Sequence, residues 1–241
     1  IKIIIGDNNS TKKTKKELKD IKNNSSLDID LLFFDNNLFY WPAAQNIIVK
    51  KIKSQIDIPN WTIVCNNDII INDKEFFNNL SKYNGDKHTV IGPKILTHNK
   101  KNLNPFMKKP MNNFIKLYWK LYFKSFWISL VFNFLNKIKV FYKKEIIDDS
   151  INQVYAIHGS IMIFSKTFFL KGGYLDSKFN LFCEELTTAE ITKKIGGRIF
   201  YIPQLEVVHN EHTSTSKINK KILYEFAKKS HNYFINEYLQ K

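Results

Sequence analysis

Three short polar clusters in this 241-residue chain have the residue types for chemistry on an anionic substrate. The first is Asn66-Asn67-Asp68, set between the apolar runs 61–65 and 69–71. Two amides and a carboxylate in that position are costly to bury without partners. A carboxylate there can ligate a hard divalent cation, which takes oxygen ligands and shares them with substrate phosphates. The same residues can equally form a turn closed by Asx hydrogen bonds. The second cluster, Glu184-Glu185, opens a helical pattern, where acidic side chains suit the helix dipole. Leu181, Phe182 and Cys183 make the approach apolar, which also suits one glutamate as a general base of raised pKa. Third, His209, Glu211 and His212 follow the apolar segment 205–208 and carry donor atoms for a metal or a phosphate.

Strand ends would have to position these clusters. Residues 1–5 are an apolar run ending in Gly6-Asp7-Asn8-Asn9-Ser10, a strand followed by a turn. A lysine-rich helix over 11–21, a strand over 28–34, a turn at Asp35-Asn36-Asn37, a helix over 43–56, a strand over 61–65 and a helix over 73–82 follow. Strand, polar turn, helix, strand at this spacing predicts an α/β sheet with parallel strands. In such sheets ligands bind beyond the carboxyl ends of the strands, where Asp7, Asn37 and Asp68 all fall. Further on come a strand over 154–164 interrupted by His158-Gly159-Ser160, a short helix over 166–170 and a turn at Gly172-Gly173. A helix running from the acidic pair to Lys194, a strand over 198–202 capped by Pro203, and an amphipathic helix over 217–241 complete the pattern.

Composition narrows the partners. At 44% hydrophobic and 24% charged the chain is globular rather than disordered, and no repeat or Pro/Gly-rich linker divides it. A formal charge of +15 points to nucleic acid, a membrane surface or anionic substrates. Arg198 is the one arginine among 37 basic residues, however, and base readout and phosphate forks depend on the planar guanidinium. Nucleic acid is therefore not an expected partner. Cys65 and Cys183 belong to no CxxC pair and read as reduced packing residues. The segment 113–144 is dense in aromatics, with Lys116, Lys120 and Lys124 recurring at i, i+4. Its charge-free stretch 125–136 is shorter than the roughly 20 residues a membrane span needs. It suits either a helix lying in the membrane interface or a helix covering the domain's own core.

Taken in order, the motifs resemble a nucleotide-sugar glycosyltransferase of family 2, in its rhamnosyltransferase-like bacterial surface-polysaccharide branch. IKIIIGDNNSTKKT is similar to the family's second strand with its Asp-Asn-x-Ser turn, and DNNLFYWPAAQN to its Asn-x-Gly-Phe…Ala-x-Asn segment. CNND resembles its metal-binding Asp-x-Asp motif, and residues 158–215 follow its Gly-Ser/Ala, Gly-Gly-Tyr, acidic-pair, Tyr-x-Pro and Val-x-His order. The resemblance implies a GT-A fold: a Rossmann-like, mostly parallel central sheet flanked by helices, with an amphipathic helical insertion and a C-terminal helix. It implies one domain over 1–241, with a nucleotide-sugar half at 1–100, the insertion at 101–150, an acceptor and catalytic half at 151–215 and the terminal helix at 216–241.

By the same resemblance, Asp7, Asn9, Asn37, Asn66 and Gly159 lie on the nucleotide side. Asp68, with His209 and His212, holds Mg²⁺ or Mn²⁺, and Glu185 is the catalytic base beside Glu184. The implied partners are a UDP- or dTDP-sugar donor and a glycan or lipid-linked acceptor, met by a cytoplasmic enzyme peripheral to the inner face of the plasma membrane. Three positions depart from the family: Phe39 stands where glycine is usual, Gln45 beside its asparagine, and Thr187 at a common second aspartate. The family's first strand is expected to be missing before Ile1. Two other readings therefore stand beside the enzyme: an inactive or truncated GT-A remnant, and a basic membrane-surface-binding module.

Overall fold

The structure, a computed structural model, describes residues 1–52, 55–141, 150–210 and 219–240. Strand β1 (Lys2–Asp7) pairs in parallel with β2 (Asp28–Phe33), placing Asp7 opposite Phe33 at the carboxyl end. Helix α1 (Lys12–Asn24), capped by Thr11, connects them and buries no residue, as its lysines require. Helix α2 (Tyr40–Lys51) then links this small sheet to the rest of the protein. Its Ile47 lies so close to Gly6 that a Cβ there would stand 2.7 Å from Ile47 Cδ1. Its Trp41, 1% exposed, packs on Phe164 of the larger sheet.

The larger sheet has the order β3 (Trp61–Cys65), β7 (Ile161–Ser165), β5 (Val90–Thr97), β8 (Ile199–His209) and β4 (Ile69–Ile70), with β6 (Asn152–Val154) also paired to β8. Its only parallel pairing among the described residues is β5 with β8. The expected mostly parallel pairing is thus corrected within an α/β architecture. β7 arrives from far along the chain and inserts between β3 and β5, running against both. A strand–helix–strand pattern read locally cannot show such an insertion. All five residues of β7 are buried, and they alternate between two cores. Met162 and Phe164 face Trp41, Phe168 and Ala189 on the side of α2, α6 (Lys166–Leu170) and α7 (Glu184–Lys194). Ile161 and Ile163 face Ile91, Ile95 and the Phe76 and Leu80 side chains of α3 (Phe76–Ser81).

Other differences have local causes. β5, which the local pattern does not single out, needs glycine at position 92, since a Cβ would meet Ile157 Cγ2 at 2.4 Å. β8 runs on through Pro203 because the register of β5 slips between Pro93 and Lys94, so Pro203 sits in a bulge and owes no ladder donor. The interrupted strand 154–164 is two strands, β6 and β7. Segment 113–144 is two helices, α4 (Asn113–Tyr122) and α5 (Phe126–Phe141), joined where Tyr118 and Tyr122 pack on Phe132.

The C-terminal helix α8 (Lys220–Phe234) anchors that pair through His231, which packs against Trp119 and Phe123. Beyond α8, a π-helical turn (Ile235–Leu239) extends the chain. Asp176, 3% exposed, fastens the assembly: its Oδ2 accepts from Tyr233 Oη at 2.7 Å and Tyr238 Oη at 2.6 Å, while Oδ1 accepts from Lys178 N. Asp176→Ala strands two phenols, and we expect it to cost about 2–3 kcal/mol. Thermal denaturation would read this as a fall of roughly 5–10 °C, with Tyr233→Phe and Tyr238→Phe each costing less than half as much.

Candidate active site

The loop after β3 is clamped at both ends by backbone bonds. Asn66 N donates to Ser160 O at 2.8 Å, and Asn210 N donates to Asp68 O at 2.8 Å. The turn closes through Ile69 N to Asn66 O (3.4 Å), so it does not spend the Asp68 carboxylate. Asp68 Oδ1 lies 3.1 Å from His209 Nε2 at the end of β8, yet both atoms are buried and neither makes a hydrogen bond. His209 Nδ1 is equally unpartnered. Buried polar atoms are almost always paired, so an oxygen and an imidazole nitrogen converging without a bond form a donor set open to a cation. Among the described residues no group of three or more His, Cys, Asp or Glu could hold a metal. Two protein ligands with substrate phosphates and water completing the shell is the usual arrangement for Mg²⁺. His212 lies outside the described residues.

The acidic pair is delivered by a strained turn. Phe182 (φ 68°) and Cys183 (φ 73°) both adopt left-handed backbone, which costs roughly 1–3 kcal/mol each for residues with side chains. Thr187 braces this turn by donating from Oγ1 to Cys183 O at 3.0 Å. Glu184 and Glu185 then form the first turn of α7, closed over Gly159. Gly159 N donates to Glu185 Oε1 at 3.1 Å. A Cβ on Gly159 would stand 2.6 Å from Glu184 Cγ and 3.0 Å from Oε1 of each glutamate. Gly159 is therefore the floor of the acidic pair.

Burial raises both carboxyls above their usual range, and the charge of Glu185 raises Glu184 further. Backbone donors, the Gly159 amide among them, oppose the rise at Glu185. Glu184 Oε2 is buried without a partner. The two carboxyls titrate as a coupled pair, both held above the usual carboxylate range by burial.

Between the two groups sits His158, which the sequence showed only as an interruption between apolar runs. Its backbone N donates to Asn104 Oδ1 at 2.7 Å, and Asn104 in turn donates to Pro93 O. Ser160 N donates to His158 Nδ1, which puts the ring proton on Nε2. Burial, with His209 nearby, pushes the His158 pKa down to about 4, so the imidazole is neutral. The His158 and His209 rings are 6.3 Å apart.

The third group lies at the end of β1. Asp7 is 4% exposed; its Oδ1 accepts from Ser10 N, and Oδ2 is buried and unpartnered. Asn9 holds the following turn in left-handed backbone. Asn37 is a shaping residue, its Oδ1 accepting from Phe39 N at 2.9 Å. Asn8, not anticipated, ties the two loops by accepting from Leu38 N and donating to Phe39 O. Phe39 has φ 61° and ψ 173°, a region essentially reserved for glycine. Its ring rests against Phe226 of α8.

No described contact joins Asp7 directly to Asp68 or the glutamates; α2 is the element that touches both sheets. Tyr40 at its start carries a buried, unpartnered hydroxyl whose pKa is raised by burial and then by Cys65, Glu184, Glu185 and Asp68. Tyr40 thus stands in the field of both acidic groups, a position that an aromatic in the segment 38–41 does not advertise. Gln45 accepts from Leu175 N, a structural bond.

The model of Glycosyl transferase family 2 matches residues 1–154, which include Asp7, Asn37 and Asp68 and stop short of Gly159, the glutamates and His209. No curated protein matches. Among solved structures, the crystal structure of GalNAc-T7 with UDP, GalNAc and Mn²⁺ superposes with a TM-score of 0.55 at 12% identity, over 87% of this chain and 37% of that one. The chain thus spans well under half the length of that protein, and the likeness is one of fold.

The raised carboxyl pair has a consequence for stability. A group whose folded pKa exceeds its unfolded value stabilises the fold at low pH and loses that contribution as pH rises. Wild-type stability should therefore fall as pH climbs above the ordinary carboxylate range. Glu184→Gln should remove much of that slope, differing little from wild type near pH ~4 and gaining about 1–3 kcal/mol at alkaline pH. Urea titrations across pH would check this.

Proposed function

The chain belongs to Glycosyl transferase family 2 and has the GT-A fold, and from that premise we propose an inverting, metal-dependent hexosyl- or deoxyhexosyltransferase. Its donor is a UDP- or dTDP-sugar, and its acceptor is a hydroxyl of a glycan or lipid-linked glycan in bacterial cell-surface polysaccharide synthesis. One observation carries this reading. A convergent Asp68–His209 pair and a buried glutamate pair flank His158-Gly159-Ser160, at the ends of β3, β7 and β8.

Glu185, steadied by the Gly159 amide, takes the proton of the acceptor hydroxyl as that oxygen attacks the anomeric carbon. The bond from that carbon to the diphosphate oxygen breaks with inversion, and the nucleoside diphosphate departs with the electron pair. The raised pKa that burial gives the glutamate pair suits a group that must accept a proton near neutral pH. Asp68 and His209 would hold Mg²⁺ or Mn²⁺, which supplies positive charge for the leaving diphosphate. The crystal of the GalNAc-T7 relative contains UDP and Mn²⁺, which supports that assignment. Asp7 Oδ2, buried and unpaired, suits a hydrogen bond from a nucleotide base or ribose. A lipid-linked acceptor places the enzyme on the cytoplasmic side, peripheral to the plasma membrane, and the +15 charge favours that surface. No helix among the described residues is long and apolar enough to cross a membrane.

Calorimetric titration with UDP should show Mn²⁺-dependent binding that Asp68→Ala weakens at least tenfold. No metal-dependent nucleotide binding by the wild type would favour the inactive-remnant reading instead. Glu185→Gln should keep that binding and lower turnover about 10²–10⁴-fold; unchanged turnover would remove Glu185 from the base role. Gly159→Ala, which pushes both glutamates aside, should lower kcat about 10²-fold or more while nucleotide binding persists.

A further inference from the structure

The largest unclaimed feature of the molecule is the outer face of the α4–α5 pair. On α5, Trp127 (74% exposed), Leu130, Val131 (57%), Phe134 (65%) and Leu135 recur at i, i+3, i+4, i+7 and i+8, a single apolar stripe turned to solvent. The opposite side of α5 is already engaged, with Ser129 buried and Phe126 against Tyr224. On α4, Phe114 (77%), Leu117 and Leu121 are exposed at i, i+3 and i+7. Around that helix, Tyr118 and Tyr122 turn to α5, while Ile115, Trp119 and Phe123 turn to the body of the protein. Lys116, Lys120 and Lys124 fill the remaining arc, so at 100° per residue a lysine row borders the apolar one.

We propose that this face docks on an anionic lipid surface. The α5 stripe enters the boundary between headgroups and acyl chains, and the α4 lysines meet the lipid phosphates. The proposal names the surface that the peripheral placement above requires, and it stands apart from the transfer chemistry.

Charge selects this occupant over the others. No Asp or Glu lies between Asp86 and Glu145, so the charged side chains of the two helices themselves are positive alone. A second copy, itself at +15, would bring like charge to a lysine-bordered interface. Nucleic acid would satisfy the lysines but leave Trp127, Val131 and Phe134 in water. An anionic bilayer satisfies both rows at once. At 16 residues α5 is shorter than the roughly 20 needed to span, so it lies in the interface plane.

The full chain would be sedimented with phosphatidylcholine vesicles, with and without phosphatidylglycerol. We expect binding to the phosphatidylglycerol vesicles, weakened by salt, with a blue shift of tryptophan emission that is lost in Trp127→Ser. The double variant Trp127→Ser with Phe134→Ser, altering exposed side chains only, should lower partitioning at least tenfold. Lys116→Glu with Lys120→Glu and Lys124→Glu should abolish the preference for phosphatidylglycerol. Equal sedimentation of wild type and the double variant would overturn the proposal, as would a solution dimer that the double variant dissociates. UDP titration of the same variants should match wild type, so failure of nucleotide binding and failure of lipid binding are read separately.

Discussion

Two adjacent carboxyl groups closed over one glycine set the terms for the rest of this molecule. Like charges in a half-buried pocket repel and are poorly solvated, so the fold has to hold Glu184 and Glu185 where neither would settle by itself. It does so from both sides. The turn behind them is held in left-handed backbone at Phe182 and Cys183 and braced by Thr187. In front, the His158-Gly159-Ser160 segment is pinned by Asn104 and runs directly into the fully buried β7. Strain is tolerable at such a site because its surroundings over-determine it. β7 is paired on both edges and packed on both faces.

The same logic explains where unspent hydrogen-bonding capacity collects. Asp68, His209, Glu184, Tyr40 and Asp7 each hold a buried polar atom without a hydrogen bond, and all of them lie at strand ends or on the elements that follow. Trp41, Asn46, Thr62 and Tyr224 hold such atoms too, whereas Asp176 is satisfied by two phenols and an amide, Asn104 by Pro93 and His158, and Tyr155 by Glu190. What sets the strand-end set apart is its chemistry: carboxylates and an imidazole are donors for a cation, and an indole is not.

Much of this was legible in the sequence, for a physical reason. Asp7, Asp68 and the glutamate pair each sit where an apolar run stops, and a polar residue at that boundary has few ways to be satisfied. The local elements β1, β2, β3 and α6 followed from periodicity and turn residues. What the sequence hid is non-local. The antiparallel insertion of β7 depends on partners about a hundred positions away in β3 and about seventy away in β5, and the glycine inside β5 is explained by the close approach of Ile157. His158 and Tyr40 gain their meaning from what surrounds them in space. Neither is part of a spacing pattern.

Phe39 shows how far a departure from a family pattern can be absorbed. A phenylalanine in glycine's backbone region should be expelled by its own side chain, at roughly 1–3 kcal/mol. Here the loop is written by its neighbours: Asn37 accepts from the Phe39 amide, and Asn8 bonds both Leu38 and the Phe39 carbonyl. The ring is not idle, since it rests on Phe226 and so ties the entrance of α2 to the C-terminal helix. Since α8 also anchors α4 through His231, one chain of contacts runs from the Asp7 loop to the α4–α5 pair. A glycine at this position would relax the backbone but remove the ring that meets Phe226, so the strain at Phe39 is offset by a contact that joins the loop to the C-terminal helix.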